Sequence, residues 1–153
     1  MMELGLPPKG RFLATTALAV GLFVGADAWA ADTHKLALYV TANDPAKMDL
    51  TLSNAANVSR HFSGLGEDVD IVVVGFGPGV SMFLSDRSPV LERLKGFGKS
   101  MPNVRFEACN SSIETITQRE KKRPPLMEGV PTVDSGVAEL LNLSEKGYTI
   151  VKP

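Results

Sequence analysis

From residue 31 onward the chain alternates short apolar runs with longer stretches in which apolar residues recur every three or four positions, and turn residues mark each change of period. Residues 36–40 (LALYV) read as a buried strand. Asn43-Asp44-Pro45 then offers a capping side chain followed by proline at the first helical position, and Met48, Leu52, Ala55, Val58 and Phe62 trace the apolar face of a helix ending near Gly64. Residues 69–74 (VDIVVV) are β-branched and almost continuous, as in a strand covered on both faces. They run into Gly75-Phe76-Gly77-Pro78-Gly79 and a short apolar turn (Val80, Met82, Phe83, Leu84). Ser88-Pro89 signals a second helix with its apolar face at Leu91, Leu94, Phe97 and Met101. Residues 104–109 (VRFEAC) predict a third strand. Ser111-Ser112-Ile113-Glu114 has the spacing of a capping box, which starts a short helix just after the cysteine, and Pro124-Pro125 ends it. A brief strand near 130–133, a helix over about 136–146 and a last strand over 148–151 complete the pattern.

Strands alternating with helices in this order predict an α/β fold: a mainly parallel sheet of about five strands with helices on both faces. Ligands of such sheets bind at the carboxyl ends of the strands. Four loops are thereby selected: 41–45, 75–80, 109–112 and 133–136.

The first thirty residues have a different pattern. Lys9 and Arg11 precede the uncharged, mostly apolar run 12–26, and Ala28-Trp29-Ala30 has the small-x-small form of a signal-peptide cleavage site, so residues 1–30 are expected to be a cleaved leader and 31–153 one domain. As an uncleaved anchor the run would reach roughly 22 Å, short of the ~30 Å hydrocarbon core. No later run is long enough to insert in a membrane.

Charge narrows the partners. The chain carries 16 Lys and Arg against 17 Asp and Glu, and removing the leader takes two of each sign, so nothing resembles the cationic surplus that nucleic-acid binding requires. Cys109 is the only cysteine, which excludes an intrachain disulfide and any dithiol chemistry of the Cys-x-x-Cys kind.

Cys109 is nevertheless the leading candidate for chemistry, because it ends a strand and precedes a helix start. Unpaired N–H groups there favour thiolate over thiol. A lone thiolate can accept a sulfane sulfur as a persulfide, form a mixed disulfide or be oxidised to sulfenic acid. The alternative is a buried cysteine packed as a small hydrophobe, and Glu107 and Glu114 nearby would oppose ionisation. Gly75-Phe76-Gly77-Pro78-Gly79-Val80 is not a dinucleotide fingerprint: the spacing differs and Pro78 removes an N–H from the cradle. Its glycines instead allow the backbone to turn tightly and approach the crevice. With no phosphate-binding, hydrolase-elbow or zinc motif, and with His34 and His61 placed on the surface, no cofactor and no metal site is expected. Arg119, Lys121, Lys122 and Arg123 form either a solvated helix face or an attractor for a sulfur anion.

Taken together, the 43–45 turn with the helix LTLSNAANVSRHF, the passage into Gly77-Pro78-Gly79-Val80, the segment VRFEACNSS and the ending SGVAELLNLSEKGYTIVKP resemble the DsrE/DsrF-like proteins of bacterial sulfur metabolism. The resemblance spans nearly all of 31–153. It implies a flavodoxin-like sheet, assembly into homo-oligomers such as trimers or hexamers, and a persulfide-carrying cysteine, a position that only Cys109 occupies. Asn110 stands where a glycine is common in similar sequences, Asp134 where a proline often precedes Ser-Gly-Val, and relay members are usually cytoplasmic. The expected protein is therefore a periplasmic sulfur handler acting through Cys109, with Asn43, Asp44, Gly77, Gly79, Asn110, Ser111, Ser112, Ser135 and Gly136 walling its pocket and a protein or small sulfane-sulfur compound as donor or acceptor. The alternative is a non-catalytic oligomer of the same fold that binds a small ligand.

Overall fold

The computed structural model describes residues 33–153, so the expected leader lies outside the described residues. Five strands, β1 (His34–Val40), β2 (Val69–Gly75), β3 (Val104–Cys109), β4 (Thr132–Val133) and β5 (Thr149–Val151), form one sheet in the order β4-β3-β2-β1-β5. Every pairing is parallel. The helices are α1 (Pro45–Leu65), α2 (Leu91–Ser100), α3 (Asn110–Glu120) and α4 (Gly136–Glu145), with a 3₁₀ helix at Gly77–Phe83. This is the α/β arrangement that the alternating pattern predicts, with the flavodoxin-like sheet that the resemblance implies.

Local chemistry explains the main boundaries. Asp44 accepts hydrogen bonds from the N–H groups of Ala46 (2.9 Å) and Lys47 (3.3 Å), Pro45 opens α1, and Gly66 closes it at φ 73°, a backbone region that favours glycine. Several boundaries differ from the sequence reading. There is no capping box at Ser111: Cys109 itself is the N-cap of α3, and Glu114 accepts from the Asn110 side chain (2.8 Å) instead of reaching back to the backbone. The Ser88-Pro89 signal also acts early, since α2 begins at Leu91 after Ser88 Oγ has accepted from the Val90 N–H (3.3 Å). β4 starts at Thr132 and not at 130, because Val130 is drawn into the core.

Alternation along the strands sends successive side chains to opposite faces. Leu38, Val40, Ile71, Val73, Val104, Phe106 and Ala108 meet α1, the 3₁₀ helix, α2 and α3 in the larger core, around Met48, Leu52, Met82, Phe83, Leu94 and Ile113. Ala37, Val72 and Val74 point the other way, where they meet Leu143 of α4 and Tyr148. Gly79 lets the 3₁₀ helix sit directly on β1: a Cβ there would lie 2.2 Å from the Val40 carbonyl oxygen. The sheet thus has helices on both faces, three on one and only α4 on the other.

Candidate functional site

Because all strands are parallel, the loops following them gather at one end of the sheet. The chain leaving β1, β2 and β3 turns onto the thick face, whereas the chain leaving β4 turns onto the opposite face as α4. β3 and β4 are neighbours, so it is between them that the chain parts in two directions. Such divergence points are where open parallel sheets hold ligands. Cys109, the last residue of β3, is the register partner there of Val133, the last residue of β4.

Cys109 follows Arg105 and Glu107 on the α4 side of the sheet, since Phe106 and Ala108 face the larger core. Its sulfur therefore lies between the starts of two helices. Sγ is 4.0 Å from the Asp134 carbonyl oxygen, and Ser111 Oγ donates to that same carbonyl (2.7 Å), tying the first turn of α3 to the loop that leads into α4. Burial pushes the Cys109 thiol up, but the Ser112 hydroxyl and the N–H groups of Gly136, Ser112 and Ser111 outweigh it and bring the thiol below the usual cysteine range. None of these N–H groups makes a regular capping bond to the sulfur, so they act on it as an array of dipoles. Only 4% of the residue is exposed, and the surroundings of the sulfur are polar.

Two residues earlier on the same face, Glu107 is half-buried and its Oε2 has no hydrogen-bond partner. Burial, then Glu139, raise its carboxyl, against the pull of Arg105 and Lys146. The carboxyl expected to oppose the thiolate is thus itself biased toward its neutral form. Beneath it, Arg105 Nη1 donates to Asp70 (3.0 Å) and Nη2 to the Tyr148 hydroxyl (2.9 Å), and that hydroxyl donates to Asp70 Oδ2. Among the described residues no cluster of His, Cys, Asp and Glu could hold a metal ion, and no helix is long and apolar enough to cross a membrane.

A crevice of 430 Å³ opens on the thick-face side, at the start of α3. Asn43 lines it from the loop after β1, Gly77 and Pro78 from the loop after β2, and Ser111 and Ser112 from the start of α3. Of the expected pocket residues Asn43, Gly77, Ser111 and Ser112 are thus brought together. Cys109 is not among the crevice walls. The others do structural work: Asp44 caps α1, Gly79 packs on β1, Asn110 is held by Glu114 and by Arg123 (2.8 Å), and Ser135 caps α4 through the Ala138 N–H (3.4 Å). Gly136 presents its N–H to the sulfur, and a Cβ there would lie 2.7 Å from Phe76.

The sequence reading missed Ser81, Arg87 and Thr115, which complete the crevice. No motif marks them. They are recruited by the 3₁₀ helix, by the segment after it and by the second turn of α3. Arg87 donates to Glu120 (2.7 and 3.0 Å) and to Asp86 (2.9 and 3.1 Å), which raises the guanidinium and lowers both carboxyls. Of the basic cluster at 119–123, Arg119 lines the crevice, 3.7 Å from Glu120, and Arg123 turns to Asn110. The cationic rim is therefore largely neutralised by its own carboxylates, and such exposed pairs are weak and salt-screened.

No family model and no curated protein matches the chain. Among solved structures, it is similar to that of MTH1491, a protein of unknown function from Methanobacterium thermoautotrophicum, at 24% identity and a TM-score of 0.64, over 78% of this chain and 99% of that one. The similarity is one of fold.

Proposed function

We propose that this protein is an exported, periplasmic sulfur handler of the DsrE/DsrF-like kind, in which the Cys109 thiolate accepts and donates sulfane sulfur. The observation that supports it is the placement of the single thiol at the parting of β3 and β4, where N–H groups of two helices and the Ser112 hydroxyl favour the ionised form. The step requires no cofactor. The thiolate attacks a terminal sulfur of a polysulfide, a sulfur–sulfur bond forms as the adjacent one breaks, and the shortened polysulfide leaves with the electron pair. With thiosulfate the leaving group is sulfite. The resulting persulfide is then attacked by an acceptor thiolate, which restores Cys109.

The near-complete burial of Cys109 suits a small sulfur anion better than a bulky mixed disulfide. Export rests on the basic, apolar and Ala-Trp-Ala segments of residues 1–30. Assembly into a homo-oligomer, trimer or hexamer, is supported by Val137 and Leu141, exposed one turn apart on α4. To test the function, the pure protein is treated with polysulfide or thiosulfate and weighed. A gain of one or more sulfur atoms that Cys109→Ser abolishes and a thiol reductant reverses is expected. An unmodified mass under conditions that persulfidate a control thiol overturns the proposal.

A second reading, a non-catalytic binding protein, is favoured by one observation: the 430 Å³ crevice is not walled by Cys109. On that reading Cys109→Ser leaves ligand affinity and oligomeric state unchanged, and alkylation of the native thiol is slow.

A further inference from the structure

β3 has a full-length neighbour on one side only. β2 pairs with it from Val104 to Ala108, whereas β4 pairs with Ala108 and Cys109 alone. The cause is local. In the parallel register the N–H that would meet the Phe106 carbonyl belongs to residue 131, and Pro131 has none. Just before it, Gly129 (φ 80°) and a turn in which the Val130 N–H donates to the Met127 carbonyl (3.3 Å) carry the chain off the strand. Main-chain groups of a strand face its two neighbours alternately. Ala108 donates outward to the Pro131 carbonyl (3.0 Å), so Phe106 also directs its N–H and C=O outward, where neither has a hydrogen-bond partner among the described residues.

A groove of 680 Å³ runs along this edge. Val104, Arg105 and Phe106 all line it, although the middle side chain points to the opposite face from the other two, so what the three share in the groove is the main-chain edge. Leu91 and Leu94 of α2 and Met127 supply its apolar part. Lys95 and Lys99 stand one turn apart on the α2 bank and face a single carboxylate, Glu128, on the other bank. Lys95 is held only by Glu92 of its own helix (2.7 Å) in an exposed, weak pair, and neither Lys99 nor Glu128 has an ion-pair partner among the described residues. The remaining cation, Arg105, is committed to Asp70 (3.0 Å).

We propose that the open edge of β3 is a docking surface for an extended acidic segment of another protein, which adds a short strand beside Phe106 and lays its carboxylates against Lys95 and Lys99. Unpaired strand edges take such segments through main-chain hydrogen bonds, while the flanking side chains choose the sequence. The unpartnered N–H and C=O of Phe106 call for an extended backbone, Leu91, Leu94 and Met127 receive apolar side chains, and the two lysines favour acidic residues over basic ones. A second copy of this chain does not fit: an antiparallel β3 centred on Phe106 would place its own Val104 opposite Ala108, where β4 already lies. The groove shares no residue with the crevice and does not include Cys109, so the proposal stands apart from the sulfur chemistry.

The test is fluorescence anisotropy at low salt with the folded full chain and a fluorescein-labelled peptide, Glu-Glu-Val-Thr-Val-Thr. Two copies of the peptide serve as controls, one with Lys-Lys at its head and one N-methylated at each residue from the first valine onward. Saturable binding of the acidic peptide is expected. The N-methylated copy, which cannot donate to the Phe106 carbonyl, should bind about tenfold more weakly, and so should the lysine copy. Lys99→Glu, an exposed substitution outside the core, is expected to reverse the order of the acidic and lysine peptides. Equal binding of the parent and N-methylated peptides overturns the proposal, as does equal binding of the acidic and lysine peptides. Absence of binding overturns it too, whether or not the chain self-associates.

Discussion

The two faces of the sheet are made from alternate residues of the same strands, yet they are built for different ends. On the thick face three helices and the 3₁₀ segment bury Leu38, Ile71, Val73 and Phe106 in an apolar core with Phe83 and Leu52. On the other, α4 alone travels from one edge of the sheet toward the other, and the residues beneath it include Asp70, Arg105, Glu107 and Tyr148. Cys109 belongs to the second face. The difference teaches that the thick core holds the loops in place while the thin, polar face carries the groups whose ionisation matters. A thiol sent into the larger core would meet aliphatic side chains and stay protonated.

The same substitution on the two faces gives the largest expected effect. Leu52→Ala should cost about 4 kcal/mol in urea unfolding, and Leu143→Ala about 2 kcal/mol, because a void under a single helix can collapse or admit water. Equal losses would break the contrast. Next, Gly136→Ala should lose about 1–3 kcal/mol through the clash with Phe76. It should also raise the thiol midpoint by moving an N–H away from sulfur, so an unstable variant with an unchanged titration would detach α4 from the site.

Glu107→Gln sharpens the comparison further. The Glu107 carboxyl lies above the usual carboxylate range in the folded chain, so its contribution is fully present below the unfolded value of about 4.3 and fades as pH rises through the folded one. The glutamine variant should therefore gain stability relative to wild type as pH rises from 4 to 7, and parallel curves across that range would deny that the carboxyl is perturbed.

The smallest effect is that of Cys109→Ser on stability. A thiol lowered on folding contributes in full above the unfolded value of about 8.5 and loses that contribution as pH falls through the folded midpoint. Wild type should thus gain on Cys109→Ser as pH rises through the window between folded and unfolded values, read by denaturant midpoint. A constant difference from pH 5 to 9 would mean that the thiol is not shifted.

Much of the architecture was legible along the chain. The near-continuous Val69–Gly75 strand, the Asp44-Pro45 start and the Met48, Leu52, Ala55 spacing each announce an element whose local propensity and burial agree. The start of α3 was less legible, because Ser111 and Glu114 have capping-box spacing while the carbonyl of Asp134, distant in sequence, takes the Ser111 hydroxyl. Asp44, Gly79 and Ser135 lie in the expected loops but act as a cap, a close-packed turn and another cap. Loop position alone does not separate such residues from those that meet a ligand.

What the sequence by itself determined is the order of elements, the parallel sheet and the singularity of Cys109, since periodicity, turn residues and composition are local properties of the chain. The tertiary structure decided that β4 lies beside β3 while its helix turns to the opposite face. That single long-range choice gathers the Ser112 hydroxyl, the Gly136 amide and the Asp134 carbonyl around one sulfur, and no pattern within any one segment encodes it.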